Sequence, residues 1–233
     1  QASLENLRTR ENEEKELTGD LDGLSLVQST LKKVSISPST SNTPRDEEVG
    51  GIPVDSDYVI FVVDTSGSMR AIWDRVTQQI INILTIHPQV KGFQILDDQG
   101  KAILAGYSGK WIPDVPFRRK SVMKLFKGWQ SASNSSPVEG VLTALRKYKK
   151  QGHTIAIYVF GDDYTGGSYD SVIDDITKKN RDQKDGKRLA KIHAVGFPSQ
   201  YTTDRFAILM RELTKQNDGT FIALPTYDKN WKP

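Results

Sequence analysis

The sequence predicts an α/β protein with a doubly wound, mostly parallel sheet, one antiparallel strand and helices on both faces, preceded by an N-terminal helical segment. Three observations carry this expectation. Residues 58–63 (YVIFVV) and 154–160 (TIAIYVF) are continuous apolar, β-rich runs without polar alternation, as strands buried on both faces of a parallel sheet require. Stretches with helical period stand between such runs, so strand and helix alternate along the chain. One turn sequence, Asp97-Asp98-Gln99-Gly100, joins two apolar runs and predicts a hairpin that supplies the antiparallel strand.

Charge divides the 233 residues before any element is placed. The first 50 hold ten acidic and six basic residues, a net of −4, so with +3 overall the remainder carries +7. Within residues 1–34, Leu17, Leu21, Leu24 and Leu31 follow steps of a helical face, which predicts an acidic helical or short coiled-coil segment. Gly19 and Gly23 weaken it by about 1 kcal/mol each relative to Ala. The segment reads as an oligomerising or spacer helix, or else as a frayed, solvated one. Residues 35–54 open with Ser, Thr and Pro, followed by charge and Gly, with too few large apolar residues to fold, and read as a flexible linker.

Residues 55–233 form the predicted domain. After the strand at 58–63, a stripe through Ile72, Val76, Ile80, Ile83 and Leu84 predicts a helix over 71–86. The hairpin runs at 92–96 and 102–105 come next, then helices at 118–126 and 138–148 and the strand at 154–160. A helix at 169–179, a strand at 192–197, a helix at 204–216 and a strand at 219–224 complete the order. In such sheets ligands sit at the carboxyl ends of the strands.

Composition narrows the chemistry. The chain has no Cys, which excludes disulfides, a thiolate nucleophile and Cys-ligated metal sites. No run of 18 or more apolar residues occurs, as a membrane-spanning helix needs. The chain starts at Gln1 rather than Met, which suggests an upstream piece removed, any anchor with it.

Asp64-Thr65-Ser66-Gly67-Ser68 leaves the first buried strand and enters the first helix, with oxygen side chains at every second position. An aspartate with two hydroxyls is a hard-oxygen set suited to Mg²⁺ or Mn²⁺, and Gly67 is expected to let the loop curl. One carboxylate holds such an ion weakly. The strand ending in Phe160-Gly161-Asp162-Asp163 supplies two more. The bland alternative is a turn and a helix cap with Ser68 as the capping residue.

Asp64-x-Ser66-x-Ser68 after a VIFVVD strand resembles the metal loop of von Willebrand factor type A domains. In that family the metal-ion-dependent adhesion site adds a Thr from a second loop and an Asp from a third. Ser136 stands here where family members often show Thr before Pro and a helix, with Ser135 as its neighbour. Asp162 stands where they show Asp after a buried strand, and Asp163 adds a carboxylate beside it. The resemblance implies a metal set of Asp64, Ser66, Ser68, Ser136 and Asp162, with Ser135 and Asp163 as supporting residues. It further implies Mg²⁺ or Mn²⁺ as cofactor and adhesion-type binding of a protein partner's acidic residue through the ion, without catalysis. It also implies that binding shifts the helix at 204–216.

An enzyme alternative comes from a likeness to haloacid-dehalogenase phosphohydrolases, with Asp64 as nucleophile and Asp162 and Asp163 on Mg²⁺. Those enzymes place a general acid two residues after the nucleophile. Ser66 holds that place, and its hydroxyl cannot serve as an acid near neutrality.

The remaining features read as structural. His87, His153 and His193 lack zinc-ligand spacing. Residues 178–191 contain seven Lys or Arg interspersed with acids, so a solvated face is expected and nucleic acid is not expected as a partner. Trp73, Trp111 and Trp129 rim the site or pack the core. The acidic segment and linker suit a domain held off a bacterial membrane by an upstream anchor. A cytoplasmic subunit of a larger machine, beside an ATPase for example, is the alternative.

Overall fold

Residues 48–49, 52–53, 55–86, 90–131, 133–150, 152–198 and 202–225 are described by the computed structural model, within a compact unit spanning Asp46–Pro233. The leucine stripe at 17–31, most of the span read as linker, and His87 lie outside the described residues. Inside that linker span, β1 (Glu48–Val49) pairs antiparallel with β2 (Ile52–Pro53).

The apolar run at 58–63 becomes the central strand β3 (Tyr58–Val63), every residue of it buried. Its side chains divide by parity. Val59, Phe61 and Val63 enter one core, and Tyr58, Ile60 and Val62 enter the core on the opposite face, the period-two alternation of a strand. β4 (Gly92–Asp97) and β6 (Ile155–Gly161) flank β3 in parallel, and β7 (Lys191–Gly196) and β8 (Phe221–Ala223) extend the sheet beyond β6. With β5 (Ile112–Pro113) antiparallel at the other edge, the order is β5-β4-β3-β6-β7-β8.

The helices cover both faces. The predicted helix at 71–86 is two: α1 (Gly67–Ala71) and α2 (Trp73–Ile86), broken at Ile72. α2 and α3 (Pro116–Lys127) pack on the Phe61 face, where Trp73 stacks on Phe126 at 4.6 Å and its indole donates to the Phe126 carbonyl at 2.8 Å. α4 (Val138–Lys147), α5 (Tyr169–Lys179) and α6 (Arg205–Gln216) cover the Ile60 face.

The expected hairpin is corrected. Gly100 turns the chain at φ +84°, but pairing back to β4 is limited to the Leu96–Ala102 bridge and bonds such as Ile103 N–H to Ile95 O at 3.0 Å. The chain then enters a 3-10 turn at Ala105–Tyr107. The Gln94 side-chain amide captures the carbonyls of Tyr107 and Lys110 at 3.0 and 2.9 Å, pinning this loop to β4. The antiparallel strand forms only afterwards, at Ile112–Pro113.

α4 lies unusually close to the sheet at Gly140. A Cβ built there falls 2.5 Å from Val62 Cγ1 and 2.8 Å from the Asp97 carbonyl. Alanine favours a helix over glycine by about 1 kcal/mol, but this overlap outweighs it. Gly140→Ala is therefore expected to lower stability by about 1–3 kcal/mol in urea titrations.

At the opposite end of β3, Asp57 accepts from Lys91 Nζ at 2.8 Å, the Thr154 amide at 3.1 Å and His153 at 3.2 Å. The Lys91 bond foremost, then the Thr154 amide, holds its carboxyl well below the usual range. Stability from this group is present above its unfolded pKa and is lost as pH falls toward its folded value. Below about pH 4 the protein should lose stability, and Asp57→Asn should flatten the acid limb of thermal midpoint against pH.

Candidate functional site

β3 ends where its apolar run ends, and the first polar residue after it, Asp64, stays inside the protein. Its amide donates to the Phe160 carbonyl at 2.9 Å, extending the β3–β6 ladder by one bond. Asp64 thus sits beside the end of β6, from which Asp162 emerges after Gly161. β3 and β6 are neighbours whose outgoing chains turn to opposite faces of the sheet. Such a switch point opens a crevice at the strand ends.

Both carboxylates are nearly sealed, Asp64 at 1% and Asp162 at 5% exposure. One oxygen of Asp64 accepts the Ser66 amide at 2.7 Å and the Ser133 hydroxyl at 2.9 Å. Its other oxygen, Oδ2, and Oδ1 of Asp162 are buried without a hydrogen-bond partner among the described residues. Burial pushes the Asp64 carboxyl up to about 6, against the pull of the Ser66 and Ser133 bonds. Burial likewise raises Asp162, opposed by a hydrogen bond from Ser68 and reinforced by the neighbouring Asp163 charge. An unpaired buried carboxylate oxygen is costly.

The hydroxyls of the first loop do no capping. Ser66 occupies the residue before α1 but makes no side-chain cap bond, and its Oγ lies 3.1 Å from Ser68 Oγ. Ser68 lies within the first turn of α1, so the expected alternative with Ser68 as cap is not what forms. Ser66, Ser68 and Asp162 make a chain of contacts joining the first loop to the third. Gly67 opens α1 without a left-handed φ, so the loop does not depend on its conformational freedom.

The second loop contributes differently from expectation. The Ser136 hydroxyl reaches Glu139 at 3.4 Å, and its amide is held by Asn134 at 3.2 Å. Among the described residues it makes no hydrogen bond to Asp64, Ser66, Ser68 or Asp162. The residue in contact is Ser133, whose hydroxyl meets both Asp64 at 2.9 Å and Asp98 at 2.8 Å. Ser135 has the left-handed φ of 52°, its amide bound to Ser133 Oγ at 3.1 Å and its carbonyl to the Thr165 amide at 3.1 Å. A non-glycine residue held there is strained. Asp163 turns away from Asp162, accepting the Tyr164 amide at 2.8 Å and the Thr203 hydroxyl ahead of α6.

Asp98 and Ser133 are functional-site residues that sequence reasoning missed. Asp98 is fully buried, and burial raises its carboxyl. It receives Ser133, the Asn134 amide at 3.3 Å and the Thr65 hydroxyl at 3.5 Å. The paired acids Asp97-Asp98 were the available signal, but they read as hairpin turn residues.

Other candidates lie elsewhere or pack. Trp73 belongs to the core, Trp129 packs beside Phe126, and Trp111 packs on Tyr58 at the far end of β3. His193 is buried and accepts the Thr220 amide at 3.1 Å.

The donor set suits a small hard cation: two carboxylates with unpaired buried oxygens beside two hydroxyls. Among the described residues no three His, Asp or Glu side chains converge on one point, so such an ion would leave positions for other ligands.

The strand order and the helices on both faces define a Rossmann-like α/β protein. Proximal thread matrix protein 1 from the mussel byssus, in a second crystal form, shares that fold, with a TM-score of 0.50 and 13% sequence identity. The match covers 76% of this chain and 44% of that chain, so it spans less than half of the mussel protein's length. No protein-family model and no curated protein matches the sequence.

Ser133 bridges two buried acids, so Ser133→Ala leaves both short of a donor. A loss of about 1–3 kcal/mol is expected by chemical denaturation. Ser136→Ala, which gives up one long bond to an exposed partner, should cost under about 1 kcal/mol.

Proposed function

We propose that this chain is a von Willebrand factor type A-like module that binds a protein partner through a divalent cation, Mg²⁺ or Mn²⁺. The observation that supports the reading is the pair of unpartnered, buried oxygens on Asp64 and Asp162 at neighbouring strand ends. Asp64, Ser66, Ser68 and Asp162 would hold the ion, with Ser136 on the side of the second loop. Ser133 and Asp98 would steady Asp64 from behind. Ser135 and Asp163 would shape the loops rather than touch the ion.

When bound, the ion supplies a Lewis-acidic positive charge in the crevice. With two carboxylates it is neutralised but keeps coordination positions for an anionic oxygen, so an acidic side chain from a partner is the natural further ligand. Sealing within the strand ends keeps water from screening that contact. Catalysis is the weaker reading, because Ser66 stands where a general acid would be needed.

Calorimetric titration of the purified protein with Mg²⁺ and with Mn²⁺ tests the proposal. Wild type is expected to bind, Asp64→Ala and Asp162→Ala to lose about tenfold or more, and Ser136→Ala to weaken binding while folding normally. Wild-type protein that takes up neither ion, and whose partner capture is indifferent to chelator, would remove the metal from the mechanism.

A further inference from the structure

α3 completes its inward packing with Val122, Met123 and Phe126. Its outward face is left with large apolar groups: Phe117 is 78% exposed and Leu125 51%, and Val115, just before the helix, is 45% exposed. Every charged residue of α3 is a cation. Arg119 is taken up by Asp114 and Arg118 by the Tyr107 hydroxyl. Lys120, Lys124 and Lys127 are exposed and form no ion pair among the described residues.

The basic stretch at 178–191 is partly paired, with Lys178, Arg181 and Lys184 forming no ion pair among the described residues. There Lys179 pairs with Asp175, Lys187 with Asp185, Arg188 with Asp218 and Lys191 with Asp55. Those four cations are neutralised at home, and among the described residues no exposed aromatic accompanies the stretch. At 100° per residue, Lys120, Lys124 and Lys127 occupy one flank of the outer face of α3, Phe117 its middle and Leu125 the other flank.

We infer that the outer face of α3 docks on an anionic lipid bilayer, with Phe117, Leu125 and Val115 entering the headgroup boundary and Lys120, Lys124 and Lys127 meeting the phosphates. Charge complementarity selects the occupant. A row of unpaired cations beside protruding apolar side chains suits a negative surface that is also penetrable. Lysine rather than arginine argues against a protein partner, because lysines are depleted at protein interfaces and arginines enriched. The flexible lysine stems also keep their charge at the headgroups while their carbons follow the apolar groups inward. The inference does not rest on the proposed metal site.

The test is co-sedimentation of the full chain, in chelator, with phosphatidylcholine vesicles with and without phosphatidylserine. Association is expected with the phosphatidylserine vesicles, falling at least about tenfold without the anionic lipid and weakening as salt rises. Phe117→Ser and the combined Lys120→Glu, Lys124→Glu, Lys127→Glu variant should each reduce it about tenfold or more. Lys184→Glu with Lys187→Glu, in the other basic stretch, should leave it unchanged. These positions are exposed, and unaltered circular dichroism keeps the comparison valid. No association with phosphatidylserine vesicles at low salt, or association equal across all the α3 variants, would overturn the inference. So would tighter capture by a duplex oligonucleotide that depends on the lysines and ignores Phe117.

Discussion

The hydrogen bond from the Asp64 amide to the Phe160 carbonyl ties the site to the sheet. It places the first polar residue after the central strand inside the strand ladder, where the environment is still that of the core. β3 is apolar along its whole length because neighbours cover it on both faces. Its polar continuation therefore begins within the protein. Asp162 is placed by the same logic one strand over. Two acids end in a region of low solvation because two adjacent strands happen to stop being hydrophobic at the same level.

Around these acids, polar groups are satisfied unevenly. Asp98 is served by Ser133, Asn134 and Thr65, and Asp97 by the amides of Gln99 and Lys101 together with Ser131. Asp64 is half served. Among the described residues the network accounts for nearly every buried oxygen and omits one on each of two neighbouring acids, the two that the proposed ion would serve. The loops divide the work: the first carries hydroxyls bonded to one another and to Asp162, the second carries bracing and strain, and the third carries the opposing acid.

Much of this was legible in the sequence because apolar period is a local property. The doubly wound order, the helix at 169–179 and the two central strands follow directly from it. Asp64, Ser66, Ser68 and Asp162 were legible because strand ends are. What escaped depends on distance through space. Ser133 is one hydroxyl in the run Ser131-Ala132-Ser133-Asn134-Ser135-Ser136, and no spacing rule tells which one turns toward Asp64. Asp98 resembled an ordinary turn residue, because its burial depends on α4 arriving from 40 residues later, where the Gly140 amide donates to the Asp98 carbonyl at 2.8 Å. The hairpin was over-read for a related reason. Gln94 looks like one polar residue in an apolar strand, and nothing local reveals that its amide will gather the following loop.

The close approach at Gly140 bears on how the crevice can change shape. With no room for even a methyl group between α4 and the carbonyls of Asp97 and Asp98, that helix cannot move closer to the strand end. The second loop hangs from its amino end and is thereby given a fixed footing. Rearrangement that accompanies the proposed ion would then fall to the short, interrupted α1. The crevice is a vice with one stationary jaw.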